Sequence, residues 1–296
     1  MKYRILMFIY LAAFPLFISA QTDTGQKTRD TLKEFSFVQI GLAYSSDALF
    51  MGRKDSLRAP YLMPSIGYYA KSGFFVDASL SYLSSEDEQR IDLFLLSAGY
   101  LLEKGKLSYG IMGVKYFYNE ESYNVLTEVE GAIAGLVGYD LNIIETSLQL
   151  SSYFNTNGTP DFFAGVTAER SFYSDNQNFL INPSVTANAG TLNFYEAYYS
   201  TSRLGNRKSK GVKNPNAIDS ENIQIEEAGN FNLLSIEVSL PVYFSLNNFI
   251  FHLEPIYVLP LNAATIDTGD NSFVEELDNT FYWNISIAYQ IERSRN

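Results

Sequence analysis

The sequence predicts an all-β fold, a transmembrane antiparallel up-and-down β-barrel of about 12 strands, on three observations. The eleven residues FYWNISIAYQI at 281–291 alternate Phe281, Trp283, Ile285, Ile287, Tyr289 and Ile291 with the mostly polar or small Tyr282, Asn284, Ser286, Ala288 and Gln290. Period two is strand grammar, and a strand of about 9–11 residues with one apolar face spans a bilayer when tilted. Similar segments recur down the chain, joined by connections that are short and longer in turn. Aromatic residues make up 15% of the chain, with 22 Phe and 22 Tyr, a composition that supplies girdles at two membrane–water interfaces.

The N-terminus reads as an export signal. Lys2 and Arg4 precede an apolar centre, Ile5 to Ile18, and a small-residue exit at Ser19-Ala20, so residues 1–20 are a signal peptide expected to be cut after Ala20. Without them the chain carries 19 basic and 33 acidic residues, a net charge of −14. That balance argues against nucleic acid, which needs a basic surface. The absence of cysteine excludes disulfides and thiolate sites. After the signal the longest uncharged apolar run, about Leu93 to Leu102, is far short of the ~20 residues a spanning helix needs.

Residues 21–34 are polar and aperiodic and read as a periplasmic tail; the barrel proper is expected over 35–291, with a polar C-terminal tail at 292–296. The first strand is Phe35 to Ser45, with Val38, Ile40, Leu42 and Tyr44 on one face. The second is Pro60 to Ala70, turned by Lys71-Ser72-Gly73 into Phe74 to Leu83, where Phe74, Val76, Ala78, Leu80 and Tyr82 oppose Asp77, Ser79 and Ser81. Strand four, Arg90 to Leu102, is apolar on both faces, and its orientation stays open. Strand five, Leu107 to Tyr118, is read with Met112, Val114, Tyr116 and Tyr118 outward, and strand six, Glu128 to Asp140, with Val129, Ile133, Val137 and Tyr139 outward. Strand seven, Ile143 to Phe154, sets Glu145, Ser147, Gln149 and Ser151 against Ile144, Leu148, Leu150 and Phe154. Strands eight and nine are Asp161 to Phe172 and Phe179 to Ala189. A long irregular loop, 190–229, leads to strand ten, Phe231 to Phe244, then to Phe249 to Val258 and the closing strand. Connections after the even-numbered strands are short and those after the odd-numbered strands are longer on the whole. Short periplasmic turns, longer extracellular loops and both termini inside are the topology of a bacterial outer-membrane barrel.

With the signal peptide, the twelve alternating segments and the aromatic last strand, the chain resembles Gram-negative outer-membrane β-barrel proteins, porin-like ones among them. Phe281, Trp283, Ile285, Ile287 and Tyr289 match the terminal assembly pattern of that class, although the pattern ends at Ile291 and a polar tail follows. Met51-Gly52-Arg53 with Pro60, Pro64 and Tyr68 is similar to the MltA-interacting, OmpV-like barrel family. The resemblance implies outer-membrane lipid and lipopolysaccharide as surroundings and the barrel-insertion machinery as an assembly partner.

Facing the outward set to lipid sends Asp77, Lys115, Glu128, Glu130, Glu145, Glu169, Glu237, His252 and Glu254 to the lumen. Such an acidic lumen concentrates cations if it is open; the alternative is that the same groups interlock into a polar plug, and twelve strands lie between the filled and open extremes. The lipid-facing girdle is expected to include Tyr44, Tyr82, Tyr116, Tyr118, Tyr139, Phe281, Trp283 and Tyr289. Arg53, Lys54 and Arg58 in the first long connection are candidates for lipopolysaccharide contact, and Arg203, Arg207, Lys208, Lys210 and Lys213 form a second basic cluster. His252 is the single histidine. Outer-membrane phospholipases use His-x-Ser-Asn, but here Leu253-Glu254-Pro255 follows, so a nucleophile would have to come from another strand, such as Ser239. No phosphate-cradling glycine motif, EF-hand or HExxH occurs, and neither metal nor cofactor is expected. The reading is therefore a monomeric, non-enzymatic, small-solute diffusion channel, with a non-conducting structural or adhesion-like barrel as its alternative and a lipid-modifying enzyme as a distant third.

Overall fold

Twelve strands follow one another around a closed wall. In chain order they are β1 (Phe37–Ser45), β2 (Tyr61–Tyr69), β3 (Phe74–Ser84), β4 (Gln89–Lys104), β5 (Leu107–Tyr118), β6 (Val129–Asp140) and β7 (Glu145–Asn155). Then come β8 (Asp161–Glu169, resumed at Phe172–Tyr173), β9 (Phe179–Ile181, resumed at Ser184–Gly190), β10 (Asn232–Ser239, resumed at Val242–Leu246), β11 (Phe249–Pro260) and β12 (Thr280–Glu292). The computed structural model describes residues 36–54, 59–85, 88–119, 122, 124–156, 158–200, 224–267 and 272–292. The signal peptide, the N-terminal tail, Arg58, the basic cluster 203–213 and residues 293–296 lie outside the described residues.

Each strand pairs antiparallel with the next, and β12 returns to β1 in unbroken register from Phe37↔Glu292 to Ser45↔Asn284. The expected twelve-stranded up-and-down barrel is therefore what the chain forms. Closure leaves no row of unpaired N–H and C=O groups, each of which would cost several kcal/mol in hydrocarbon. The outer face is largely apolar, with Ile40, Ile66, Val76, Ile111, Val166 and Leu253 among the exposed side chains. A soluble monomer rarely shows so large a continuous apolar surface; a membrane wall requires it.

The short connections gather at one end, here the turn end, with residues 37 and 292. Each of the five contains one residue with left-handed backbone: Gly73, Gly105, Asn142, Gln177 and Asn247. At Gly73 a side chain is also shut out by space, since a Cβ there would lie 2.3 Å from the Leu101 carbonyl oxygen. The long connections gather at the opposite, loop end.

Three register shifts and three prolines shape the wall. Extra residues enter at Asp92 in β4, Glu130 in β6 and Leu234 in β10, all toward the loop end, and a bulge re-aims the side chains around it. The shift at Asp92 turns both Asp92 and Leu93 inward, which is why β4 showed no readable alternation. Pro183, Pro241 and Pro255 lie obliquely across β9, β10 and β11. None has an N–H to give, but each carbonyl accepts from the neighbouring strand: Arg170 N at 3.2 Å, Asn182 N at 2.9 Å and Leu240 N at 3.1 Å respectively. The breaks in β8, β9 and β10 follow this seam.

The connection 191–231, read from the sequence as irregular, contains a helix, α1 (Asn193–Ser200). Its eight residues are too few, and too rich in aromatics of modest helix propensity, to announce themselves. What holds it is the wall: Asp161, at the loop end of β8 and fully buried, accepts from Asn193 N at 2.8 Å and Phe194 N at 2.7 Å. A carboxylate at these first N–H groups caps the helix.

Candidate functional site

The barrel interior falls into two zones of opposite chemistry. At the loop end connections fold inward, and two of them, 46–60 and 191–231, bring aromatic side chains into it. The connection 46–60 makes a tight hairpin, Phe50 and Arg53 exchanging backbone bonds at 2.8 and 2.9 Å across Met51 and Gly52, both with positive φ. Phe50 at its tip meets Tyr153, Phe163 and Phe194 at ring-centroid distances of 5.3, 5.1 and 5.0 Å, the last two edge-on. Tyr195 continues the cluster into Tyr199 at 4.8 Å. Leu126, Leu234 and Ile266 close around it, each with no more than 2% of its surface exposed.

Arg53 staples this plug together. Its Nη1 donates to the carbonyls of Met51 and Leu234, both at 3.1 Å, and its Nη2 to those of Leu261 at 3.1 Å and Asn262 at 2.6 Å. Glu275 lies 3.6 Å away and also accepts from the Tyr195 hydroxyl at 2.8 Å. Burial pulls the Arg53 guanidinium below its ordinary value, and the Glu275 charge opposes that pull. The guanidinium's planar fork suits four carbonyls from three segments in a way that a lysine could not.

Toward the turn end, β7 to β12 present a polar inner wall. Glu145 and Glu169 stand directly opposite one another, and Glu169 accepts from Asn182 Nδ2 at 2.8 Å. Thr167 and Thr186 share a hydroxyl bond at 2.9 Å, as do Ser184 and Ser239 at 2.7 Å. Asn188 Nδ2 donates to Glu237 at 3.0 Å. On β11 and β12, His252 faces Ser286 and Glu254 faces Asn284, whose Nδ2 lies 3.3 Å from the carboxylate. Tyr243 stacks on the His252 ring at 4.3 Å. Several inward residues here stay half-exposed, among them Ser147, Gln149, Thr167, Ser239, Glu254 and Asn284. This part of the interior is polar and partly exposed; the loop end is apolar and closed.

No family model and no curated protein matches the chain. Among solved structures it is similar to a KdgM porin, with a TM-score of 0.46 and 7% identity over 85% of this chain and 98% of that one. It is similar to a NanC porin, with a TM-score of 0.46 and 9% identity over 86% of this chain and 100% of the other. A third is LpxR from Salmonella typhimurium, at a TM-score of 0.42 and 10% identity over 85% and 99% of the two chains. By its own strand number, closure and apolar wall, the chain is a twelve-stranded barrel of transmembrane architecture.

Of the residues expected in the lumen, Asp77, Glu145, Glu169, Glu237, His252 and Glu254 do face the interior. Asp77 accepts from the Tyr69 hydroxyl at 3.4 Å, and its carboxylate uses space that Gly67 leaves, where a Cβ would come within 2.6 Å. Lys115 and Glu130 do not face inward. They pair with each other at 3.1 Å on the outside of the wall, their side chains 48% and 58% exposed. Glu128 precedes β6 at its loop end and accepts from Thr156 Oγ1 at 2.9 Å, outside the polar wall just described.

The cause of the Lys115 error is that β5 is inverted relative to expectation. Met112, Val114 and Tyr116 are buried inside, with Tyr118 stacked on Tyr116 at 5.7 Å, while Ile111 and Phe117 face out. Both faces of β5 are apolar because its inner face meets the plug, so hydropathy could not orient it. Tyr116 and Tyr118 therefore leave the girdle, whereas Tyr44, Tyr82, Tyr139, Phe281, Trp283 and Tyr289 stand on the outer wall. In β6 the shift at Glu130 turns Val129 inward. Of the basic residues expected to meet lipopolysaccharide, Arg53 is buried in the plug, and Lys54 is exposed. The aromatic plug and Asp161 were missed because no local pattern marks a loop that folds back into its own barrel. Ser286 and Asn284 sit on the strand that was read first, but their partners appear only once register is known.

Proposed function

We propose that the protein is a channel of the bacterial outer membrane for small polar solutes, with an acidic interior that prefers cations, closed at its loop end by the aromatic plug in the conformation described. The observation that carries the reading is the half-exposed polar wall of β7 to β12, which a purely structural barrel has no need to keep wet. Low-dielectric walls focus the field of its carboxylates and favour cations over anions. The exported chain would lose residues 1–20 after Ala20, be inserted by the barrel-assembly machinery through its aromatic last strand, and work as a monomer. Lys54, with Arg58, is the remaining candidate for contact with lipopolysaccharide phosphates.

A second reading, a non-conducting barrel that acts through its loops, is favoured by the burial of the plug, with Phe194 and Leu234 at 0% exposure. Catalysis receives less support. The serine opposite His252 is Ser286 rather than Ser239, and its Oγ makes no hydrogen bond, so no base holds it as a nucleophile.

Planar-bilayer recording of the purified barrel decides between the first two. Discrete cation-selective steps are expected, larger and more frequent in a Phe50→Ala, Phe194→Ala double variant. Silence from both proteins at high load, with folding verified by heat-modifiable gel mobility, removes the channel reading and leaves the structural one.

A further inference from the structure

The block of four inward residues on β11 and β12 has a donor and acceptor balance that its own neighbours do not complete. His252↔Ser286 and Glu254↔Asn284 are successive directly opposed pairs, so their Cβ atoms lie about 5 Å apart across the ladder. Ser286 is 6% exposed and Ser245, diagonal to His252 across β10, is 9% exposed. Neither hydroxyl has a hydrogen-bond partner, and neither does the Asn284 carbonyl oxygen. Buried polar atoms are seldom left so, and two of them, on Ser286 and Asn284, lie two residues apart on the inward face of β12. The wall beside them is built of small residues, Ala43 opposite Ser286 and Gly41 opposite Ala288.

The chemistry of the patch selects its guest. The carboxylates of Glu254 and Glu237 take their hydrogen bonds from the neutral donors Asn284, Ser239, Asn188 and Ser235. The strands β9 to β12 and β1 to β3 contain no Lys or Arg, and the basic group nearest Glu254 on them is the His252 imidazole, its Nε2 4.0 Å away. What is missing is a positive group rich in hydrogen-bond donors. A bare metal ion fits poorly, because the described residues contain no group of three or more His, Asp or Glu placed to hold one. A primary ammonium offers three N–H donors to acceptors such as Glu254, the Asn284 oxygen and Ser286, and the Tyr243–His252 stack gives its carbon chain an aromatic surface.

We propose that Glu254, Asn284, Ser286 and His252 form a binding site for a small organic ammonium ion inside the barrel. The site deepens the channel reading and rests on it for the ligand's way in, but its occupancy is measurable without conduction. The test is equilibrium dialysis of the folded barrel in detergent micelles, with 1,4-diaminobutane as the probe and xylitol and potassium chloride as competitors. One saturable site is expected. Glu254→Gln should weaken it about tenfold, the scale of one charge-assisted bond, and Ser286→Ala by a smaller factor. Glu130→Gln on the outer wall should change nothing.

Absence of saturable binding in a heat-modifiable barrel would mean that water alone satisfies the patch, and the proposal falls. It falls equally if xylitol or potassium competes as well as the diamine, or if Glu254→Gln and Ser286→Ala both bind like the parent. Ser286→Ala keeps the comparison readable should Glu254→Gln fail to fold. Binding intact in a barrel that is silent in bilayers upholds the site and overturns only conduction; conductance without binding does the reverse.

Discussion

The two ends of the interior use the same wall to opposite purposes. At the loop end the inward positions of β4 to β8 carry Leu93, Tyr116, Tyr153 and Phe163, and the connections bring in Phe50 and Phe194 to meet them. At the turn end the inward positions of β7 to β12 carry carboxylates, amides and hydroxyls held in cross-strand pairs. The first zone is stabilised by burial and packing, as a globular core is. The second is held by hydrogen bonds between strands. A barrel interior is therefore not one environment, and a substitution should act according to the zone it falls in.

The sharpest break of this comparison is at Asp161, which accepts from Asn193 N, Phe194 N, Thr191 Oγ1 at 2.6 Å and Asn155 Nδ2 at 2.6 Å. Asp161→Ala leaves four donors without their acceptor, and at about 1 kcal/mol or more for each it should release α1. Limited proteolysis would then cut the 191–231 connection while the wall stays heat-modifiable; a connection as resistant as in the parent would show that α1 is held by something else. Phe194→Ala should cost the plug about 3–5 kcal/mol. It should lower the urea midpoint of the plug's aromatic near-ultraviolet dichroism and leave the strand signal in place. Loss of both signals together would mean that the zones are one cooperative unit.

Arg53→Met removes a staple and leaves buried carbonyls unpaired, and we expect a loss of about 2–4 kcal/mol by the same dichroism. Lys54→Met, one residue along and exposed, is its control. The smallest effect belongs to Lys115→Leu. An exposed pair of this kind contributes about 0–1 kcal/mol, so stability and cation preference should both be unchanged. A shift in reversal potential in that variant would return Lys115 to the lumen.

Much of the architecture was legible because a membrane wall writes itself into the sequence at period two. Strands such as β3 and β12, with Val76 against Asp77 or Ile285 against Ser286, put their greasiest residues on the lipid side and polar ones within. Legibility failed where the interior is itself apolar. In β5, Met112 and Val114 are as hydrophobic as Ile111 and Phe117, and only knowledge of the plug tells one face from the other. It failed also at Asp92, Glu130 and Leu234, where one extra residue changes parity without any mark in composition. Arg53 misled for a related reason: a charge in a long connection normally stays in water, and only the four carbonyls gathered around it make burial tolerable. The polar patch was half visible, since His252 and Glu254 were read as inward, while their partners across the ladder depend on register that no single strand encodes.

Pro183, Pro241 and Pro255 give the wall one further property. Each lacks an amide hydrogen, so at three successive strands the wall has one donor fewer than a regular ladder. Pro255 adjoins Glu254, Pro241 stands two residues from Tyr243, and Pro183 follows Asn182. The thinned part of the ladder thus lies beside the polar residues of β9 to β11 rather than beside the aromatic stopper.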